Sequence, residues 1–201
     1  MLDIERHNTC TAFAGTVRIA SGDLQQVVLK AKAVLDRSKY AQVLIFDDRS
    51  SELIEVDFRG TPAEVSERID RIAGVDSATG EPQPAEETRR PGRPKLGVVA
   101  REVTLLPRHW DWLAMQPGGA SVALRKLVEH ARVANQGKDR LRRARDSAYR
   151  FLSAMAGNEP GFEEATRALF AGQQEAFSTR TEAWPRDVRD HARNLAAACF
   201  E

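Results

Sequence analysis

Residues 75–97, VDSATGEPQPAEETRRPGRPKLG, constrain this chain more than any other stretch. They hold almost no large apolar side chains and are punctuated by four prolines and three glycines. Ordering such a segment costs backbone entropy that no buried apolar surface offsets. It is therefore expected to be an extended, flexible basic linker and a domain boundary. Around it the chain divides into an α+β domain over 1–74, a strand-helix-helix segment over 98–135 and a helical region over 136–201.

The first part reads as ββαββα. TCTAFAG and TVRIA are rich in β-formers and separated at Gly15, which predicts a hairpin. Ser21, Gly22 and Asp23 offer helix-capping groups. Behind them Leu24, Val27, Val28, Ala31, Val34 and Leu35 repeat at helical spacing. AQVLIFDD and ELIEVDF predict a second pair of strands around the turn Asp48-Arg49-Ser50-Ser51. In the latter, Leu53, Glu55 and Asp57 oppose Ile54, Val56 and Phe58 with a period of two. Thr61-Pro62 opens a helix with Val65, Ile69 and Ile72 on one face and Gly74 after its end.

The last third is helical. KDRLRRARDSAYRFLSAMAG places Leu141, Ala144, Ala148, Phe151, Leu152 and Met155 on one stripe. GFEEATRALFAG predicts a short helix ending at Gly172, and QQEAFSTRTEA another. Pro185 suits the first turn of a last helix, with Val188, His191, Leu195 and Cys199 on one side.

Composition narrows the class. With 42% apolar and 29% charged residues the chain suits a soluble globular protein of one domain or two small ones. No apolar run approaches the ~18 residues that a membrane span needs. The first residues, MLDIERHNTC, lack the apolar stretch of a signal peptide. The only two cysteines, Cys10 and Cys199, point to a cytoplasmic protein with reduced thiols, with a clasp between the termini as the alternative. The net charge of +1 hides an uneven distribution. Residues 89–150 carry 15 basic and 5 acidic side chains, a net of +10, between flanks of −6 and −3. A positive block of that size attracts polyanions.

Catalytic patterns are missing. His7, His109, His130 and His191 lie far apart, and no H-E-x-x-H, C-x-x-C or H-x-E spacing joins them to other metal ligands. There is no nucleophile elbow and no phosphate-binding glycine loop. Asp47 and Asp48 end a strand, but they also begin a polar turn, where aspartate serves turn geometry. The reading is a non-enzyme without cofactor or metal.

The central block holds the functional signal. VVAREVTLL predicts one strand, with Val99, Val103 and Leu105 on one side and Ala100, Glu102 and Thr104 on the other. Pro107 opens a helix of about two turns closed by Pro117-Gly118-Gly119. Ser121 then caps a second helix, with Leu124, Leu127, Val128 and Ala131 at i, i+3, i+4, i+7. One strand and two short helices leave strand edges unpaired and an apolar face open, which pairing of residues 98–106 with a second copy would cure.

These residues resemble the ribbon-helix-helix DNA-binding family. The likeness lies in the strand, Leu106-Pro107, a first helix with Trp110, Leu113 and Ala114 facing inward, the glycine turn, and Ser121 with VALRKLV. It implies an intertwined homodimer whose two-stranded ribbon lies in the major groove of double-stranded DNA. It also implies that Ser121 and Val122 offer backbone N–H groups to phosphate at the second helix N-terminus. Arg125 and Lys126 are basic residues of that helix. The family's register points Arg101, Val103 and Leu105 at DNA. Side-chain polarity favours the opposite one, with Glu102 and Thr104 outward, and a slip of one residue exchanges the two faces.

Upstream, RRPGRPK resembles the AT-hook minor-groove motif through Gly92-Arg93-Pro94, with Pro91 in place of its first core arginine. Arg90, Arg93 and Lys95 are the arm's candidate contacts, since arginines on extended arms enter narrow A·T minor grooves. GRPKLGVVAREVTLLPRHWDWL with PGGASVALRKLV is similar to an uncharacterised bacterial family, a domain of unknown function, over the full chain.

Two functions follow from this reading. One is a dimeric bacterial DNA-binding protein, a transcriptional regulator or nucleoid-associated protein, reading through Arg90, Arg93, Lys95, Arg101, Thr104, Ser121, Arg125 and Lys126. The other is a non-enzymatic interaction or small-ligand sensor protein without DNA binding.

Overall fold

The computed structural model describes residues 9–38, 40–78, 99 and 101–200, with backbone alone over 72–78. Two compact units emerge. One joins the described residues up to 78 with 139–200, and the other holds 99 and 101–138.

In the first unit, β1 (Thr9–Ala14), β2 (Val17–Asp23) and β3 (Val43–Asp47) form an antiparallel sheet in the order β2-β1-β3. The β1–β2 hairpin turns at Gly15, whose φ is +57°. A Cβ there would meet nothing within 4 Å, so the backbone angle is what calls for glycine. The β1–β2 register shifts between Ala12 and Phe13. Such a bulge sharpens the local twist.

α1 (Leu24–Arg37) starts where the Asp23 carboxylate accepts N–H bonds from Gln25 and Gln26, as the capping sequence predicts. α2 (Pro62–Ala78) opens with a reciprocal box. Glu64 Oε2 accepts from the Thr61 N–H and hydroxyl, and Thr61 Oγ1 accepts from the Glu64 N–H. α2 runs through Gly74 rather than ending before it. A single interior glycine costs only about 1 kcal/mol.

The predicted fourth strand forms no ladder. Leu53 makes one isolated bridge to Phe46, and the Ile54 N–H donates to the Ile45 carbonyl. Beyond that, Arg68 on α2 donates to the Asp57 and Arg59 carbonyls and so holds the segment away from the sheet. The period of two survives without a ladder: Leu53, Glu55 and Asp57 are exposed, while Ile54, Val56 and Phe58 are half-buried.

The sheet is buried on both faces because alternate side chains meet different helices. Cys10, Ala12, Ala20 and Ile45 pack with Val27, Val28 and Ala31 of α1 and Val65 and Ile69 of α2. Phe13, Leu44 and Phe46 turn the other way, into a core built from the C-terminal helices. Those are residues 139–155 of α4 (Gly119–Met155), then α5 (Phe162–Ala171), α6 (Gln174–Arg180) and α7 (Arg186–Ala197). Phe151 sits 5.4 Å from Phe13, 5.2 Å from Phe46 and 4.6 Å from His191, ring centre to ring centre. Arg193 of α7 ties down the end of α6, donating to Thr181 Oγ1, the Ser178 carbonyl and Glu182 Oε2.

The stripe expected on the last helix is seen, with Val188, His191 and Cys199 buried. Cys10 and Cys199 are free thiols in separate clusters, so they form no clasp. Burial, reinforced by Asp48, Asp23 and Asp47, pushes the Cys10 thiol up to about 12. Burial lowers His191 below its ordinary 6.5, an effect opposed by Asp48 and aided by Arg18. A folded state that disfavours the charged imidazole keeps its full stability above about pH 6.5 and loses it as pH falls below that value. In urea titrations, His191→Phe is expected to shrink the drop in stability between about pH 7 and pH 5. An unchanged drop would assign it to the carboxylates instead.

In the second unit, residues 101–106 form no strand within the single chain. α3 (Pro107–Ala114) begins with Leu106 extended at the cap and proline at its first position. Its end passes through Gly118, φ +85°, where a Cβ would press on Val122 at 3.0 Å. α4 then starts at Gly119, so Ser121 lies inside its first turn rather than at the cap. The two helical patterns expected on either side of residue 136 are one continuous helix of 37 residues. No proline lies between Pro117 and Pro160, and Gly137 alone does not stop propagation.

Candidate nucleic-acid interface

The second unit has little interior of its own: among its described side chains only Leu113 and Ala123 are buried. Leu105, His109, Trp112, Leu113, Leu124 and Leu127 line an open apolar hollow of about 270 Å³. On α3, Leu113 faces inward, Ala114 is exposed, and Trp110 and Trp112 are both partly open at 41% and 47% exposure, with Trp112 lining the hollow. His109 and Trp112, which the ribbon-helix-helix likeness missed, were legible as spacing, since with Leu113 they stand at i, i+3 and i+4.

In the hollow itself apolar side chains stand open: Trp112 and Leu127 are each 47% exposed. Isolated exposed apolar residues are ordinary, but several lining one concavity mark an interaction surface.

Arg101, Thr104, Ser121, Arg125 and Lys126 are all exposed and all belong to this unit. Arg101 and Thr104 lie on the segment before α3, which forms neither helix nor strand, and the other three on the first two turns of α4. Arg125 Nε donates to the Ser121 carbonyl at 3.1 Å, which holds the guanidinium along the helix. One turn on, Arg132 grips Glu129 through two bonds of 3.0 and 2.7 Å. That pairing lowers the Glu129 carboxyl pKa, chiefly by hydrogen bonding. Arg101, Arg108 and Lys126 form no ion pair among the described residues. Arg90, Arg93 and Lys95 lie outside the described residues.

Among the described residues no group of three or more His, Cys, Asp or Glu is placed to hold a metal ion. No described helix is long and apolar enough to cross a membrane.

The chain belongs to the family described as an uncharacterized protein conserved in bacteria (DUF2239), which matches residues 9–196. No curated protein and no protein of solved structure matches it.

Proposed function

We propose that this member of a bacterial protein family binds double-stranded DNA as a homodimer, as a transcriptional regulator or nucleoid-associated protein. Residues 98–106 of two copies pair as an antiparallel ribbon. The observation that carries this reading is the second unit's unfinished packing: a segment over 101–106 that forms neither helix nor strand, beside an open apolar hollow. A second copy supplies both missing parts at once. The exposed basic residues Arg125 and Lys126 then lie on the helix that follows.

The position of Leu105 in the hollow bears on register. With alternation about it, Val103 and Arg101 share its side, and Glu102 and Thr104 face outward. This favours the register chosen by polarity, with Thr104 as a base-edge candidate.

The reading is tested by gel retardation of random duplex at ~50 mM salt, with the species sized in solution. No retardation at micromolar protein, or a strict monomer, would sink it. If Arg125 and Lys126 meet phosphates, replacing both with glutamine removes two contacts from each protomer of the dimer and flattens the dependence of log K on log salt by about 3.6 units. An unchanged slope would remove α4 from the interface.

A further inference from the structure

The apolar hollow of the second unit holds one titratable side chain. Leu105, Trp112, Leu113, Leu124 and Leu127 are apolar, and His109 stands among them. It lies on the same flank of α3 as Trp112 and Leu113. Its imidazole has no hydrogen bond and no ion pair among the described residues. In the single chain His109 is exposed, so water solvates the ring in either charge state.

Other charged groups are near in sequence but do not line the hollow. Arg101 and Glu102 stand on the segment before α3, and Arg108 and Asp111 flank His109 on α3 itself. On α4, Arg125, Lys126, Glu129 and His130 neighbour Leu124 and Leu127. All of them are exposed. No carboxylate in the lining therefore holds His109 in its charged form once water is excluded.

We infer that closure of this hollow by a second copy makes association pH-sensitive: the dimer forms with His109 neutral and separates as the imidazole gains a proton. The inference rests on the homodimer reading above and names the group that regulates it. An unpaired imidazolium buried among leucines and tryptophan is strongly disfavoured, whereas the neutral ring leaves far less to desolvate. The covered state thus binds fewer protons than the open one. Histidine changes charge between about pH 5 and pH 8, so association is strongest at the upper end of that range and weakens as pH falls through it. Both hollows of a symmetric pair carry the residue, so two protons act on each dissociation. Acid also adds positive charge at His130, which favours phosphate, so the free dimer is the clean readout.

The test is sedimentation equilibrium of the whole protein without DNA, at about pH 8 and about pH 6 and constant ionic strength. The dimer dissociation constant is expected to rise about tenfold or more at the lower pH. His109→Gln removes the charge at an exposed position, and its dissociation constant is expected to change by less than about twofold. His109→Phe, with an apolar ring of similar size, is the second variant and holds the dimer at both pH values. His130→Gln, altered outside the hollow, keeps the parent's response. Circular dichroism at both pH values shows that the chain stays folded, since His191 acts on fold stability in the same range. A dimer equally tight at both pH values would overturn the inference and leave the dimer reading standing. So would a response that survives in His109→Gln or His109→Phe, or one that is lost in His130→Gln. A monomer at about pH 8 would overturn both readings.

Discussion

Phe151→Ala is expected to destabilise the fold by about 3–5 kcal/mol, the range seen when a fully buried aromatic ring is truncated. Phe151 has no exposed surface. It is the side chain through which α4 meets β1 at Phe13, β3 at Phe46 and α7 at His191. Truncation therefore opens a cavity among four elements, and close packing leaves those elements little freedom to collapse into it. Tilted and edge-on contacts between the rings are lost as well, each worth about 0.5–1.5 kcal/mol. Urea unfolding at neutral pH measures the loss. Phe170→Ala, at a ring 45% exposed beside Tyr149, is the control and should lose far less. Equal effects at the two sites would mean that the two-sided core does not dominate stability.

Leu127→Glu is expected to abolish dimerisation and, with it, to weaken DNA binding by about 10²-fold or more. In the single chain Leu127 is 47% exposed at the rim of the hollow, so a monomer tolerates glutamate there within about 0.5 kcal/mol. Beneath a second copy the same carboxylate is buried without a partner, which costs several kcal/mol. The variant thus separates folding from assembly. Sedimentation shows the oligomer, circular dichroism the retained helices, and gel retardation the affinity. A Leu127→Glu protein that stays dimeric and binds DNA as before would show that this face is not the dimer seam.

Local signals were legible wherever one short stretch contains its own physical cause. The hairpin about Gly15, the Asp23 cap of α1, the Gly172 stop of α5 and Pro185 before α7 are all decided within a few residues. So is the apolar stripe from Leu141 to Met155. The misread places have distant causes. Residues 53–58 alternate like a strand, yet Arg68 on α2 draws the chain off the sheet. The boundary expected between residues 135 and 136 falls inside one helix, α4. In the candidate interface, exposure of Arg101, Thr104, Ser121, Arg125 and Lys126 was foreseeable from polarity. The turn of Leu105 into the hollow was not, because one strand's alternation fits either face.

By itself, the sequence determined the positive centre of the chain, most helix ends and the α+β class. Each rests on local backbone preference, charge or apolar period. Only the tertiary structure decided that the sheet is covered on both sides. Phe13 and Phe46 reach Phe151 and His191 over more than a hundred residues of sequence, and no local pattern encodes a contact at that separation.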